Sequence, residues 1–240
     1  MRTSSPSKIS IFWFLNPAFC ILALVGFWMP WLTQPAAALR LNGFDLAEWV
    51  TWLPSVRDGT LPLSRLALLM PAACLAVLLG LAAASARPSA EQRRRGWRGS
   101  VPASVEGWGL LALALVCNLF VLPPYEAFTR ADYWPDYQSQ FWVACAALAG
   151  IGVCQFLPSR VKTGLQMVFA LVGGGYGAWT LILLRPTANE LLNASWSVGY
   201  GWGVMLIGFA GLIVSGGIQL VKEIRDKGAG KGSQGQEVTD

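Results

Sequence analysis

The chain of 240 residues contains no histidine. That absence removes His-ligated haem, most zinc sites and every Ser–His or Cys–His catalytic pair. Charge is scarce as well. Asp, Glu, Lys and Arg make up 13% of the sequence, against roughly 25% in a soluble domain, too few to cover a water-facing surface. Cysteine is missing from every connecting segment. Cys20, Cys74, Cys117, Cys145 and Cys154 all fall within apolar blocks. A disulfide framework needs loop cysteines at workable spacings, so these five read as small apolar residues. The apolar blocks also lack Asp, Glu, Lys and Arg at their centres; Arg65, Glu106 and Arg185 stand near block ends, where they can snorkel to an interface. Proton relays and ion paths place charge at hydrocarbon depth, so ion-coupled transport is disfavoured.

What the sequence has instead is apolar length. Hydrophobic residues form 54% of the chain and the mean hydropathy is +0.48. They are gathered into blocks long enough to cross a hydrocarbon core, which takes about 20 helical residues. The expected fold is all-α: a polytopic membrane bundle of six transmembrane helices, at about residues 9–32, 63–86, 107–122, 141–157, 164–184 and 198–221. The third and fourth are short. Residues 1–227 form this domain, and the Gly-, Ser- and Gln-rich residues 228–240 read as a flexible tail.

Basic residues orient the bundle. Thirteen of the 18 Lys and Arg alternate onto one side, among them Arg2, Lys8, the segment with Arg93, Arg94, Arg95 and Arg98, then Arg160, Lys162 and Lys222. Cytoplasmic loops carry such an excess, which places both termini in the cytoplasm. The same rule accounts for the net charge of +5 without nucleic acid. The Arg93–Arg98 cluster is also a candidate contact for anionic lipid. A cleavable signal peptide, with Arg2 and Lys8 as its basic region and Ala36-Ala37-Ala38 as the cleavage site, is the rival reading of the first block. That block is longer than the usual apolar region of such a peptide, and Trp28 and Trp31 suit an interfacial anchor.

The outer connections carry more structure. Asp45 and Glu48 have capping-box spacing and predict a short apolar helix over about residues 46–53, ended by Pro54. Arg57 with Asp58, and Arg130 with Asp132, read as local ion pairs. Eight of the 12 tryptophans lie in the outer half, an excess beyond an interfacial belt. Trp49, Trp52, Asp132, Tyr133, Trp134 and Asp136 are therefore candidate outer-face interaction residues. Three blocks end in proline (Pro30, Pro123, Pro186), which suggests three sequential helical hairpins. Within the blocks, small residues four apart nominate helix-packing positions: Ala146 with Gly150, Gly173 with Gly177, and Gly211 with Ser215. Asn16, Asn118, Gln155 and Gln166 suit hydrogen bonds between helices. The run Gly173-Gly174-Gly175 is no phosphate loop, since it lacks the GxxxxGK[ST] pattern. Asn193-Ala194-Ser195 has glycosylation spacing, relevant only in a eukaryotic secretory membrane.

Catalytic material is confined to the outer carboxylates Asp45, Glu48, Asp58, Glu126, Asp132, Asp136 and Glu190, whose spacing matches no EF-hand loop. The expectation is a non-catalytic protein without cofactor or metal: an accessory, scaffold or assembly subunit of a larger membrane complex. The alternative is a permease or binding protein for an apolar or lipid-like molecule. Its partners would be the lipid bilayer and other membrane subunits or a second copy, with no nucleic acid. The Ala-, Leu-, Arg- and Gly-rich composition fits a bacterial inner membrane.

Overall fold

A computed structural model describes residues 12–34, 38–86, 104–130, 132–192 and 196–232. The Arg93–Arg98 cluster lies outside them, as does the end of the tail. Helix forms 78% of the structure: α1 (Phe12–Trp28), α2 (Gly43–Val50), α3 (Pro54–Arg57), α4 (Arg65–Ser85), α5 (Val105–Leu119), α6 (Glu126–Thr129), α7 (Trp134–Cys154), α8 (Ser159–Leu192) and α9 (Tyr200–Gly232). Short strands β1 (Leu32–Gln34), β2 (Leu39–Leu41) and β3 (Ser197–Val198) complete it.

Among the described residues three helices, α4, α8 and α9, are long and apolar enough to cross a membrane; α1 and α5 are apolar but shorter. Helix α7 is long, but its first two turns carry Asp136, Gln138 and Gln140. The Leu- and Ala-rich α4 is the centre. Ser64 caps it by accepting from the Ala67 N–H at 3.2 Å. It packs against α1, α5, α7 and α8. In α4, 89% of the apolar segment is buried, against 33% in α8 and in α9. Helix α9 packs on α1 and α8, and α5 and α7 pack on α4 and on each other. At its far end α4 is closed by Lys162 of α8, whose Nζ donates to the Ala84 carbonyl at 2.9 Å.

Several boundaries differ from the sequence reading. Helix α1 stops at Trp28, because Pro30 and Trp31 turn their backbone groups to the start of α9 and to β2. The Pro30 carbonyl accepts from Gly201 N–H at 3.0 Å, and Trp31 N–H donates to Leu41 at 2.8 Å. Helix α8 does not end before Pro186 but runs through it to Leu192. A proline removes one helical bond, and the Thr187 hydroxyl adds another to the Leu183 carbonyl at 3.4 Å. Helix α9 continues through residues 228–232, read from sequence as the start of the tail.

The capping box is real but sits three residues earlier than expected. Asn42, not Asp45, is the N-cap: its Oδ1 accepts from the N–H groups of Phe44 and Asp45, both at 2.9 Å. Asp45 reaches back to the Asn42 N–H at 3.3 Å. Pro54 does not end that helix; it opens α3.

Candidate functional site: the capped end of the bundle

Where α1 and α8 finish and α4 and α9 begin, the connections fold into a cap. Its sheet has the order β2–β1–β3, antiparallel throughout. Leu32 faces Leu41 and Val198, while Thr33 faces Arg40 and Ser197. Paired residues share a face, so one side is an apolar row and the other a polar row. The Thr33 and Ser197 hydroxyls lie 2.7 Å apart. This sheet ties residues after α1 to residues before α9. Nothing in the sequence announced it, because strands of two or three residues are too short for an alternation signal.

Trp31 is the cap's anchor. It is fully buried, its Nε1 donates to the Gly26 carbonyl at 3.0 Å, and it meets Phe27 edge-on at 5.8 Å. Its own carbonyl accepts from Gly199 N–H at 2.8 Å. Helix α2 lies over the bundle with Leu46, Ala47 and Val50 buried. Phe44 stacks on Trp28 and touches Phe120 edge-on.

Arg65, the first residue of α4, joins the cap to α7. It pairs with Glu48 of α2, and its guanidinium lies 4.8 Å from the centre of the Tyr137 ring, within cation–π range. Its side chain is 11% exposed and that of Glu48 43%. Arg65 therefore packs inward rather than snorkelling.

The six candidate interaction residues differ in their surroundings. Trp49 is half-buried and tilts against Trp196 at 6.1 Å. Trp52 is 72% exposed. Trp134 packs with Phe128 and Phe141 at the start of α7. Tyr133 is exposed and carries the Arg130 guanidinium over its ring at 5.6 Å. Asp132 and Asp136 are exposed. Arg130 thus stacks on Tyr133 where the sequence suggested a pair with Asp132. Asp58 likewise turns to Thr60: its Oδ1 accepts from the Thr60 N–H at 2.9 Å and hydroxyl at 2.7 Å. Those bonds hold its carboxyl below the ordinary carboxylate pKa. The carboxylates are occupied separately, Asp45 as a cap, Glu48 with Arg65 and Asp58 with Thr60. No group of three Asp, Glu or Cys side chains among the described residues is placed to hold a metal ion. A cleft of about 840 Å³ opens beside the sheet, lined by residues that include Thr33, Leu39, Arg40, Val198 and Tyr200.

Below the cap, small residues set the helix spacing. A β-carbon at Gly173 would lie 2.7 Å from the Phe209 ring and 2.9 Å from Cys74 Cβ. Gly177 accepts from Trp202 Nε1 at 2.9 Å and faces Met205, and Gly211 faces the Phe19 ring. Ala146 differs: it is exposed. The buried face of α7 runs through Gln140, Ala144, Ala147, Ile151 and Cys154, and Gly150 sits at its margin, against Val77. The sequence reading missed two close approaches of α1 and α9, where Gly26 meets the backbone of Met205 and Gly208 that of Ala23.

Polar side chains join the helices. Gln166 Nε2 donates to the Leu212 carbonyl at 2.9 Å and to Ser215 Oγ at 3.2 Å. Asn16 Nδ2 donates to Gln166 Oε1 at 2.8 Å, and Ser215 Oγ donates to Asn16 Oδ1 at 2.7 Å. This knot ties α1, α8 and α9. Asn118 reaches the Ala144 carbonyl at 3.3 Å, and Gln155 the Gly80 carbonyl at 3.2 Å.

No family model matches the chain, and no curated protein or solved structure matches it either.

Proposed function

We propose that the chain is an accessory, scaffold or assembly subunit of a larger membrane complex, crossing a bacterial inner membrane six times with both termini in the cytoplasm. Three helices of spanning length support membrane insertion. The 13-to-5 division of basic residues supports six crossings and the orientation. In this topology the capped end faces outward. A threefold hairpin repeat is not part of the proposal, since the principal partner of α1 is α9 rather than α4.

The observation that carries the reading is the cap itself. It is bonded shut by a sheet, a buried tryptophan and an ion pair, an expenditure of structure that a simple anchor does not need. It nonetheless leaves Trp52, Tyr125 and Phe128 more than half exposed, with Asp132 and Asp136 exposed as well. Exposed aromatics on a rigid base are the raw material of protein interfaces.

One observation favours the alternative, a permease or binding protein for an apolar or lipid-like molecule. A groove of about 430 Å³ runs along α8, lined by Leu171, Val172, Gly175, Tyr176 and Trp179, and its walls suit an acyl chain or isoprenoid. Extraction in mild detergent followed by mass spectrometry separates the two. Stoichiometric protein partners, lost on Trp52→Ala, support the subunit reading. A lone species carrying a bound lipid, displaced by Gly175→Leu, overturns it in favour of the alternative.

A further inference from the structure

Six crossings of one bilayer call for helices of similar apolar height, and this bundle does not supply them evenly. Helix α4 has 21 residues, about 31 Å at 1.5 Å per residue. The membrane-length segment of α9 has 23 residues, about 34 Å. Helix α5 has only 15, about 22 Å. In α7 the polar first turns end at Gln140, so residues 141–154 offer about 21 Å of apolar helix. A typical hydrocarbon core is about 30 Å thick, which leaves this pair roughly 8 Å short.

These two helices stand together, apart from α1, which is also short and packs chiefly on α9. Both pack on α4 and on each other. Their heights are matched by hydrogen bonds: Gln140 Nε2 donates to the Val121 carbonyl just past the end of α5 at 2.9 Å, and Asn118 bonds the Ala144 carbonyl one turn lower. Their outward side is apolar. Leu115, Val116 and Leu119 of α5, and Trp142, Leu148 and Val153 of α7, are all more than 40% exposed. Polar groups close this band at both ends, with Glu106 and Asp136 exposed and Gln155 bonded to Gly80.

We infer that the α5–α7 flank is a lipid-contact surface for a thin hydrocarbon layer. Its partner is a locally thinned bilayer, enriched in short acyl chains, while α8 and α9 meet lipid of full thickness. This rests on the six-crossing reading above. The physical cause is mismatch: each ångström of uncovered or over-covered apolar height costs free energy, which short chains or local thinning relieve.

The test uses the full chain with one added tryptophan at an outward position, Leu148→Trp on α7 or Leu171→Trp on α8, the latter site being 66% exposed. Each protein is reconstituted into vesicles containing equal amounts of fourteen-carbon and twenty-carbon phosphatidylcholine, with only one of the two brominated at mid-chain. The extra quenching over the unsubstituted protein reports which lipid touches the added residue. At position 148 the brominated short-chain lipid should quench about twofold more than the brominated long-chain lipid, with no such preference at position 171. Equal quenching by both lipids at position 148 overturns the inference and leaves six crossings standing. Quenching at 148 by aqueous iodide and by neither lipid removes the flank from the hydrocarbon, and both readings fall. Leu115→Trp on α5 repeats the measurement if the first variant does not fold.

Discussion

The contact between α1 and α9 permits a sharp test at Gly208. A β-carbon built there would lie 2.6 Å from Ala23 N, 2.7 Å from Ala23 Cβ and 2.8 Å from Ala23 Cα. Ordinary carbon contacts begin near 3.5 Å, so Gly208→Ala forces the two helices apart by roughly 0.8 Å. Two effects of opposite sign then compete. Alanine gains about 1 kcal/mol over glycine in a helix interior. Overpacking costs about 1–3 kcal/mol, toward the upper end where the obstacle is backbone that cannot swing aside. Separation by that distance also forfeits a quarter to a half of the dispersion energy of neighbouring contacts, here those of Cys20, Phe27, Met205 and Phe209, all at most 1% exposed. The clash wins, and a net loss of about 2 kcal/mol is expected. The control is Gly109→Ala on α5, where nothing lies within 4 Å; it should gain about 0.5–1 kcal/mol. Gly211→Ala, whose nearest obstacle is the Phe19 side chain rather than backbone, should fall between. Unfolding by dodecyl sulfate in mixed micelles, followed by circular dichroism, reads all three. A Gly208→Ala protein as stable as Gly109→Ala would refute the close approach.

Three further outcomes follow from the bonding. Glu48→Gln leaves Arg65 largely buried without its carboxylate and should cost about 1–3 kcal/mol, less than a fully buried pair because Glu48 is half-exposed; Arg65→Met leaves a carboxylate that solvent reaches and should lower the melting temperature less. Gln166→Leu should cost about 1–2 kcal/mol, and a double-mutant cycle with Ser215→Ala should be less than additive, since the two share bonds to each other and to Asn16. Asp58 has a folded pKa below its unfolded value because Thr60 bonds its charged form. Its contribution is therefore present above the unfolded pKa and lost as pH falls through the folded one, so between about pH 5 and pH 2 the melting temperature of Asp58→Asn should decline less steeply than that of the unsubstituted protein.

The long helices were legible because an apolar run needs no tertiary partner to be recognised. Pairing between the helices was legible only in part. Asn16, Gln166, Asn118 and Gln155 were identified because a polar side chain in an apolar run must find a donor or acceptor, but which partner it finds depends on the packing. Small-residue spacing gives a period without a phase. Ala146 and Gly150 satisfy it, yet the face of α7 that turns inward begins at Gln140 and passes through Ala144, Ala147 and Ile151. The Asp45–Glu48 pattern lost to Asn42–Asp45, because asparagine is at least as good a cap and Glu48 was drawn to Arg65. The sheet was not legible at all. Thr33 and Ser197 are 164 positions apart, and no local feature of either segment selects the other.

That long separation has a consequence for assembly. The first and last helices meet at three levels: through β1 and β3 at the cap, at Ala23 and Gly208 in the middle, and through Asn16 and Ser215 with Gln166 beyond. Everything between them in sequence can pack on α4 before this contact closes, but α1 cannot bury Ala23 and Gly26 until α9 arrives. The closure rests on packing and hydrogen bonds rather than on the connection between α8 and α9. A chain ending at residue 192 should therefore expose the buried face of α1 and one edge of β1, and aggregate on size-exclusion chromatography in detergent. Supplying residues 193–240 as a separate co-expressed chain should restore a single species containing both pieces. If the truncated chain alone runs as a monodisperse protein with the melting temperature of the full one, α9 is a peripheral helix and the three-level closure carries none of the stability assigned to it.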